Sequence, residues 1–293
     1  MGIRNRTVMV AAALVAAVGL GGYLVWSGNG GGAGTRGEQM QAQGQPTAGA
    51  SGAATTVTGG QLAAVARTRV FFGHQSVGMN LIEAIPKVYA EHGVSAPAIA
   101  QDTAPEGSAG FVHAFIGENT RPETKLAAFD SALRGGMAGK VDVAFMKFCY
   151  VDVTAGTDVD ALFAKYRDTL AALQRDYPKV RFLHVTVPLT TIRSQSGLRA
   201  TVKRVLGRGD GDVADDAARE RLNTLIRKEF PADRVFDLAA VESTTPDGGR
   251  VSGTLDGKDV YALYDGYTGD GGHLNDLGAD RAAAGLLATI AGR

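Results

Sequence analysis

The residues at positions 71–78 read FFGHQSVG and join the end of a strand to the start of a helix. The residues before them, from Arg69, form a short apolar run that is typical of a buried strand, and residues 78–91 repeat apolar side chains at helical spacing. Ser76 stands at the junction, where a hydroxyl is accessible and the first N–H groups of the helix lie close by. This position suits a nucleophile, and a serine that caps the helix is the alternative interpretation.

Strand and helix patterns alternate along the rest of the chain. Nearly continuous apolar runs predict further strands at 141–147, 180–187 and 234–238. Helical periodicity predicts helices at 122–133, 158–177, 215–230 and 276–291. The alternation predicts an α/β fold, a three-layer α/β/α sandwich with a mainly parallel central sheet. Ligands of such sheets bind beyond the carboxyl ends of the strands, so the loops that follow strands are the candidate site.

A second polar motif lies just before the last predicted helix, where residues 267–275 read YTGDGGHLN. Asp270 and His273 are three residues apart in this loop. Such a pair can direct an imidazole toward a serine while the carboxylate accepts the Nδ1 proton. A glycine-rich turn before a helix-capping aspartate is the alternative interpretation.

Together, a serine after the first strand and an Asp-x-x-His motif before the last helix resemble the SGNH (GDSL-like) hydrolases. The resemblance spans nearly all of residues 60–293. It implies an enzyme in which Ser76 is the nucleophile, His273 the general base and Asp270 its orienting acid. The first motif departs from the family's Gly-Asp-Ser, because His74 and Gln75 stand between the glycine and the serine.

The resemblance also implies an oxyanion hole. Gly117 matches the family's second glycine, but residues 147–152, KFCYVD, lack the asparagine that the family carries after a central strand. The loss of one oxyanion donor costs about 2.7–4 kcal/mol of transition-state stabilisation unless another group replaces it. The candidate replacements are Asn119, Lys147 and Gln75, and His74 is a candidate for catalysis, substrate binding or a structural hydrogen bond.

Several of these residues have a second interpretation. Lys147 is either a ligand for an anionic group or a lysine whose ammonium reaches solvent at the strand end. Cys149 is either a nucleophile or a small buried hydrophobic residue, and no histidine lies beside it in the sequence. His113 is predicted to lie in a loop before Gly117, where it would line the cleft.

Composition excludes other classes of protein. Lys plus Arg and Asp plus Glu both total 30, so the net charge is +0 and gives no basis for nucleic-acid binding. The single cysteine forms neither an intrachain disulfide nor a cysteine zinc site. The chain also lacks an H-x-x-x-H motif, a calcium-binding loop and a phosphate-binding glycine loop, so we expect no metal and no cofactor.

The N-terminus predicts export. Residues 1–7 contain two arginines, and the uncharged run at 8–26 is long enough to cross a hydrocarbon core of about 30 Å. The run is either a signal anchor, which would leave a single-pass protein with its C-terminal domain outside the cytoplasm, or a cleaved signal peptide. Residues 27–58 are rich in Gly, Ala and Ser and predict a flexible linker, and 59–293 predict the folded domain.

The sequence therefore predicts an extracytoplasmic serine esterase, or an O-acyltransferase, that acts on an acylated carbohydrate or lipid. The alternative is a non-catalytic domain of the same fold that binds carbohydrate or a cell-envelope partner, because a fold does not guarantee an activity.

Overall fold

A computed structural model of the protein describes residues 56–104, 109–192 and 211–292. The predicted segments 1–7 and 8–26, and the predicted linker as far as residue 55, lie outside these ranges. Within them, no helix combines the length and the apolarity of a membrane span. The first described residues already belong to the folded domain: Val57 is buried in the core, and Thr58 forms a capping box with Gln61 at the start of the first helix.

Strands and helices alternate along the described residues. The strands are β1 (Arg69–His74), β2 (Ala98–Gln101), β3 (Gly110–Phe115), β4 (Val143–Met146), β5 (Arg181–Phe182), β6 (His184–Val185), β7 (Val235–Phe236), β8 (Ser252–Leu255) and β9 (Lys258–Tyr261). The helices are α1 (Gly59–Val65), α2 (Val77–Glu91), α3 (Pro122–Arg134), α4 (Val159–Asp176), α5 (Gly211–Glu229), α6 (Leu238–Ser243) and α7 (Asp276–Ala291).

The central sheet is parallel and has the strand order β2-β3-β1-β4-β5. Only Leu183 separates β5 from β6, and its N–H donates to the Ala144 carbonyl of β4 at 3.1 Å. β6 then pairs in parallel with β7, so the sheet continues by one more strand. β8 and β9 form a separate antiparallel hairpin.

Helices cover both faces of the sheet because its buried strands point apolar side chains to both sides. Phe72 faces a core that α1, α2, α6 and α7 complete, whereas Phe71 faces a core that α3, α4 and α5 complete. Helix starts are fixed locally: Pro122 opens α3, and the side chains of Asp158 and Asn275 cap α4 and α7. The α/β sandwich with a mainly parallel sheet that the sequence predicts is confirmed.

Some elements differ from the prediction. The predicted strand at 180–187 is divided at Leu183, where its pairing changes from β4 to β7. The strands β2 and β3, which no pattern predicted, complete one side of the sheet. His113 was predicted in a loop, which is wrong: it lies inside β3 and is buried.

Candidate active site

Three neighbouring strands bring their carboxyl ends together at one edge of the sheet. β1 lies between β3 and β4 and runs parallel to both, so the loops that follow the three strands meet at that edge. Ser76 follows β1. Residues 116–121 follow β3 and are called the β3 loop, and residues 147–153 follow β4 and are called the β4 loop.

Ser76 adopts a strained backbone conformation between β1 and α2. Its φ of 50° and ψ of −118° are rare for a residue with a side chain, and such outliers are concentrated at functional sites. Although Ser76 occupies the cap position of α2, its side chain makes no capping hydrogen bond. Its Oγ instead lies 2.5 Å from the Nε2 atom of His273. Helix capping therefore does not explain this serine.

His273 belongs to residues 268–275, called the histidine loop, which leads into α7. Its Nδ1 atom lies 2.6 Å from Oδ2 of Asp270. The other carboxylate oxygen, Oδ1, accepts the backbone N–H groups of Gly272 at 2.9 Å and of His273 at 2.8 Å. The hydrogen bond from His273, followed by these backbone donors, holds the pKa of Asp270 well below its usual range.

The ionised carboxylate fixes the protonation pattern of the imidazole. A carboxylate only accepts hydrogen bonds, so Nδ1 of His273 carries a proton and donates it to Asp270. In the neutral ring, Nε2 is then an acceptor, and the Ser76 hydroxyl donates to it. The three side chains form a continuous relay from an alcohol through an imidazole to a carboxylate, which is suited to remove a proton from the alcohol.

Contacts from other elements support the histidine loop. The Thr191 N–H donates to the Gly271 carbonyl at 2.9 Å, and the Leu274 N–H donates to Asn80 Oδ1 of α2 at 3.3 Å. The ring of Tyr150, from the β4 loop, packs edge-on against the imidazole with centroids 5.7 Å apart. A side chain at Gly272 would lie 2.7 Å from that ring, so the approach requires glycine.

Gln75 precedes Ser76 and contacts Gly117 of the β3 loop. Gly117 has a φ of 57°, and a Cβ atom there would lie 2.5 Å from the Lys125 backbone nitrogen, so only glycine fits. The Gln75 side-chain amide donates to the Gly117 carbonyl at 3.1 Å and thus holds the β3 loop beside the serine. The Asn119 side chain is exposed, and its Oδ1 accepts a hydrogen bond from Lys125 Nζ at 2.9 Å.

Two of the predicted site residues lie in the interior instead of at the surface of the cleft. His74 is fully buried, and its Nε2 lies 3.0 Å from Nδ1 of His113. Burial, assisted by Lys147 and His113, lowers the pKa of His74 to about 3, so the ring is neutral. Lys147 is 1% exposed, and its ammonium contacts the Phe148 carbonyl at 3.3 Å and Cys149 Sγ at 3.5 Å.

Cys149 is buried as a small hydrophobic residue. Its thiol contacts the Lys147 amine at 3.5 Å, and in the described part of the chain no imidazole contacts it to act as the base of a thiol nucleophile. Within residues 56–104, 109–192 and 211–292, no group of three or more His, Cys, Asp or Glu side chains could hold a metal ion.

The sequence did not single out three residues at the site, Lys125, Tyr150 and Asp152, or the buried acid Glu242. Tyr150 contacts His273, and Lys125 pairs with Asp152 in the interior beside Asn119. Glu242 is buried in α6, and burial raises its pKa to about 8. The sequence did contain one indication of Glu242: an acidic residue within the otherwise apolar or small residues AAVES at 239–243.

Comparison with known proteins gives likenesses of structure only. No protein-family model and no curated protein matches the chain. An acetyl xylan esterase has 17% identity and a TM-score of 0.41, covering 74% of this chain and 97% of that one. The C-terminal catalytic domain of peptidoglycan O-acetyltransferase A from Streptococcus pneumoniae has 9% identity and a TM-score of 0.36, covering 75% and 90%.

A third solved structure, a Streptococcus pneumoniae protein assigned as a platelet activating factor, has 15% identity and a TM-score of 0.45, covering 75% of this chain and 81% of its own. At these identities and TM-scores, function has to be inferred from the residues of this chain alone.

Proposed function

We propose that the protein is a serine ester hydrolase or acyltransferase of the SGNH kind. The observation that carries the proposal is the relay from Ser76 Oγ to His273 Nε2 at 2.5 Å and from His273 Nδ1 to Asp270 Oδ2 at 2.6 Å. The serine and the histidine are 197 residues apart in sequence. The fold brings them together at the carboxyl ends of the strands. A serine hydroxyl bonded to an imidazole base is the arrangement that activates a nucleophile, and backbone strain such as that of Ser76 is concentrated at functional sites.

In the first half-reaction, Ser76 Oγ attacks the carbonyl carbon of an ester. The Oγ–H proton moves to His273 Nε2, the new C–O bond forms, and the carbonyl π electrons move onto oxygen. The backbone N–H groups of Ser76 and Gly117 have no acceptor among the described residues. The first belongs to the serine itself and the second to a loop that bonds the preceding Gln75, so both are suited to donate to that oxyanion.

The tetrahedral intermediate then collapses. The bond to the leaving alcohol breaks, and His273 returns its proton to the leaving oxygen, which leaves an acyl group on Ser76. Water, or the hydroxyl of an acceptor, attacks this acyl-enzyme by the same steps in reverse. The nature of the second nucleophile decides between hydrolysis and transfer.

The substrate class and the location also belong to the proposal. The uncharged run at 8–26 after two arginines supports export or anchoring in the membrane, with the domain outside the cytoplasm. The substrates accessible there are acylated sugars, polysaccharides or lipids. An O-acyl ester of a carbohydrate fits both the hydrolase and the acyltransferase forms of the reaction.

The test is hydrolysis of short-chain p-nitrophenyl esters by the full-length protein and by two variants, Ser76→Ala and His273→Ala. Each variant should lose activity by about 10⁴-fold or more, because the members of a triad act as one unit. Ser131→Ala and His92→Ala replace exposed residues of the same types on α3 and at the end of α2, and should keep wild-type activity.

A folded wild-type protein that neither hydrolyses these esters nor transfers acetyl groups to a carbohydrate acceptor would overturn the proposal in favour of a binding role. Full activity in Ser76→Ala would overturn the assignment of the nucleophile.

A further inference from the structure

The β3 loop and the β4 loop are joined across the end of β1. Asp152 of the β4 loop accepts the Thr120 N–H of the β3 loop on Oδ1 at 2.8 Å. Its Oδ2 atom accepts the Cys149 N–H at 2.6 Å and the Lys125 ammonium at 2.5 Å. Since β1 lies between β3 and β4 in the sheet, this connection crosses the edge where Ser76 follows β1.

The ion pair at the centre of this connection is fully buried. The side chains of Lys125 and Asp152 are both 0% exposed. A buried ion pair is weak evidence for stability, because the cost of removing both charges from water offsets most of their attraction. Its position between two loops of the candidate site suggests that it serves to fix their geometry.

The backbone of the β3 loop requires such a restraint. Thr120 has a φ of 69°, in the left-handed region that a β-branched residue rarely enters, and Gly117 has a φ of 57°. Strained conformations of this kind persist only where surrounding contacts hold them. The hydrogen bond from the Thr120 N–H to Asp152 is one of those contacts.

The same lysine determines the orientation of Asn119. Lys125 Nζ lies 2.9 Å from the Asn119 side chain, and an ammonium group only donates hydrogen bonds, so the amide oxygen must face it. The amide NH₂ group therefore points away from Lys125. Asn119 is exposed, and among the described residues its NH₂ group donates to none.

We propose that Asn119 is an oxyanion donor and that Lys125 and Asp152 are its positioning residues. In this arrangement the β3 loop supplies the side-chain amide that the β4 loop lacks, and the buried pair holds that amide with its N–H groups toward the carbonyl bound at Ser76. The proposal rests on the proposed esterase function and adds one catalytic and two positioning residues to it.

The decisive variant is Asn119→Asp. It keeps the shape of the side chain and an oxygen for Lys125, so a structural role predicts no loss, whereas an oxyanion donor has been replaced by an acceptor. We expect kcat for p-nitrophenyl acetate to fall about 10²–10³-fold, as for other oxyanion donors, with KM and the melting temperature little changed. Asn119→Ala should show a similar fall in kcat. Glu118→Gln, an exposed neighbour in the same loop, should match the wild type.

The positioning role is tested by the double variant Lys125→Met/Asp152→Leu, which removes both charges and leaves neither unpaired. Its kcat should fall by about tenfold or more, and adding Asn119→Ala should cause little further loss, because residues that act as a unit are non-additive. Fully additive losses would overturn the positioning role. If the double variant does not fold, the Asn119→Asp result decides.

The two proposals fail in distinguishable ways. A kcat of Asn119→Asp within about threefold of wild type, in an assay where Ser76→Ala is inactive, would overturn the oxyanion assignment and leave the esterase proposal intact. A wild-type protein without esterase or transferase activity would overturn both.

Discussion

The histidine loop and the β4 loop are in contact through Tyr150 and His273, and each carries an aspartate that is held in a different way. In the histidine loop, Asp270 and His273 are 58% and 45% exposed and bond to each other and to backbone groups within three residues. In the β4 loop, Lys147 and Asp152 are buried, and Asp152 pairs with Lys125, 27 residues away. In the first loop the catalytic pair is partly exposed and local in sequence, whereas in the second loop the carboxylate is buried and pairs with a lysine of another element.

The difference matches two tasks: the histidine loop carries the groups that transfer protons, and the β4 loop carries groups that fix the position of neighbouring loops. Groups that exchange protons with a substrate must be accessible, and a short loop with its own hydrogen bonds can hold them. Groups that fix the geometry of neighbouring loops are more effective where water does not compete with them. Tyr150 connects the two loops, because it belongs to the β4 loop and packs against the imidazole of His273.

The largest effect is expected in the histidine loop. Asp270→Asn keeps an oxygen for the backbone N–H groups but places an NH₂ group against Nδ1 of His273, which favours the tautomer that cannot accept the serine proton. We expect kcat to fall about 10⁴-fold, equivalent to about 5.5 kcal/mol. Asp265→Asn, an exposed aspartate just before this loop, is the matched control. A loss below about tenfold would show that the local pair does not act as described.

The next effect concerns the interior pair of the β4 loop. Asp152→Asn leaves Lys125 buried without a counter-charge, and breaking a buried ion pair in this way costs about 3–5 kcal/mol of unfolding free energy. Urea denaturation measures this. Asp158→Asn, at an exposed helix cap outside the loop, should change the unfolding free energy little, because asparagine caps a helix about as well as aspartate. If the two variants lose equal amounts of unfolding free energy, the buried carboxylate is no more important for stability than the exposed one.

A pH-dependent effect comes from Glu242, whose Oε2 accepts the Leu189 N–H at 2.7 Å. Burial raises its pKa from 4.5 to about 8, so the folded protein keeps a proton that the unfolded chain releases. This contribution to stability is fully present below about pH 4.5 and is lost as the pH rises to about 8. Glu242→Gln resembles the protonated acid.

The unfolding free energy of Glu242→Gln, relative to wild type, should therefore increase by about 3 kcal/mol between pH 5 and pH 8. Measuring both proteins at each pH cancels the contributions of other titrating groups. A difference that stays constant over this range, or decreases, would show that Glu242 is ionised in the folded protein.

The smallest effect is expected at Lys147. Burial lowers the pKa of its amine, because a charge in the interior loses its hydration. Lys147→Met keeps the length of the side chain and removes that cost, so we expect the unfolding free energy to increase by about 1 kcal/mol. Lys140→Met, at an exposed lysine before β4, should change it little. A large loss of stability or of activity at Lys147 would show that its charge is required.

The sequence predicted what is local or periodic. Parallel strands buried on both faces appear as apolar runs, so β1, β4 and β7 were visible, and Asp270 and His273 lie in one glycine-rich loop. β2 was missed because it is a short, partly exposed edge strand, and β3 because His113 interrupts its apolar run. The pairing of Lys125 with Asp152 could not be read from spacing, since it depends on the strand order of the sheet.

Whether Ser76 is an activated nucleophile is measured by intact-mass and peptide mass spectrometry after reaction with a fluorophosphonate. Ser76 Oγ should displace fluoride at phosphorus while His273 takes the hydroxyl proton, which leaves one phosphonyl group on the peptide that contains Ser76. We expect this adduct in the wild type and not in Ser76→Ala. An adduct on another residue such as Cys149, or a folded wild-type protein that stays unmodified, would contradict it.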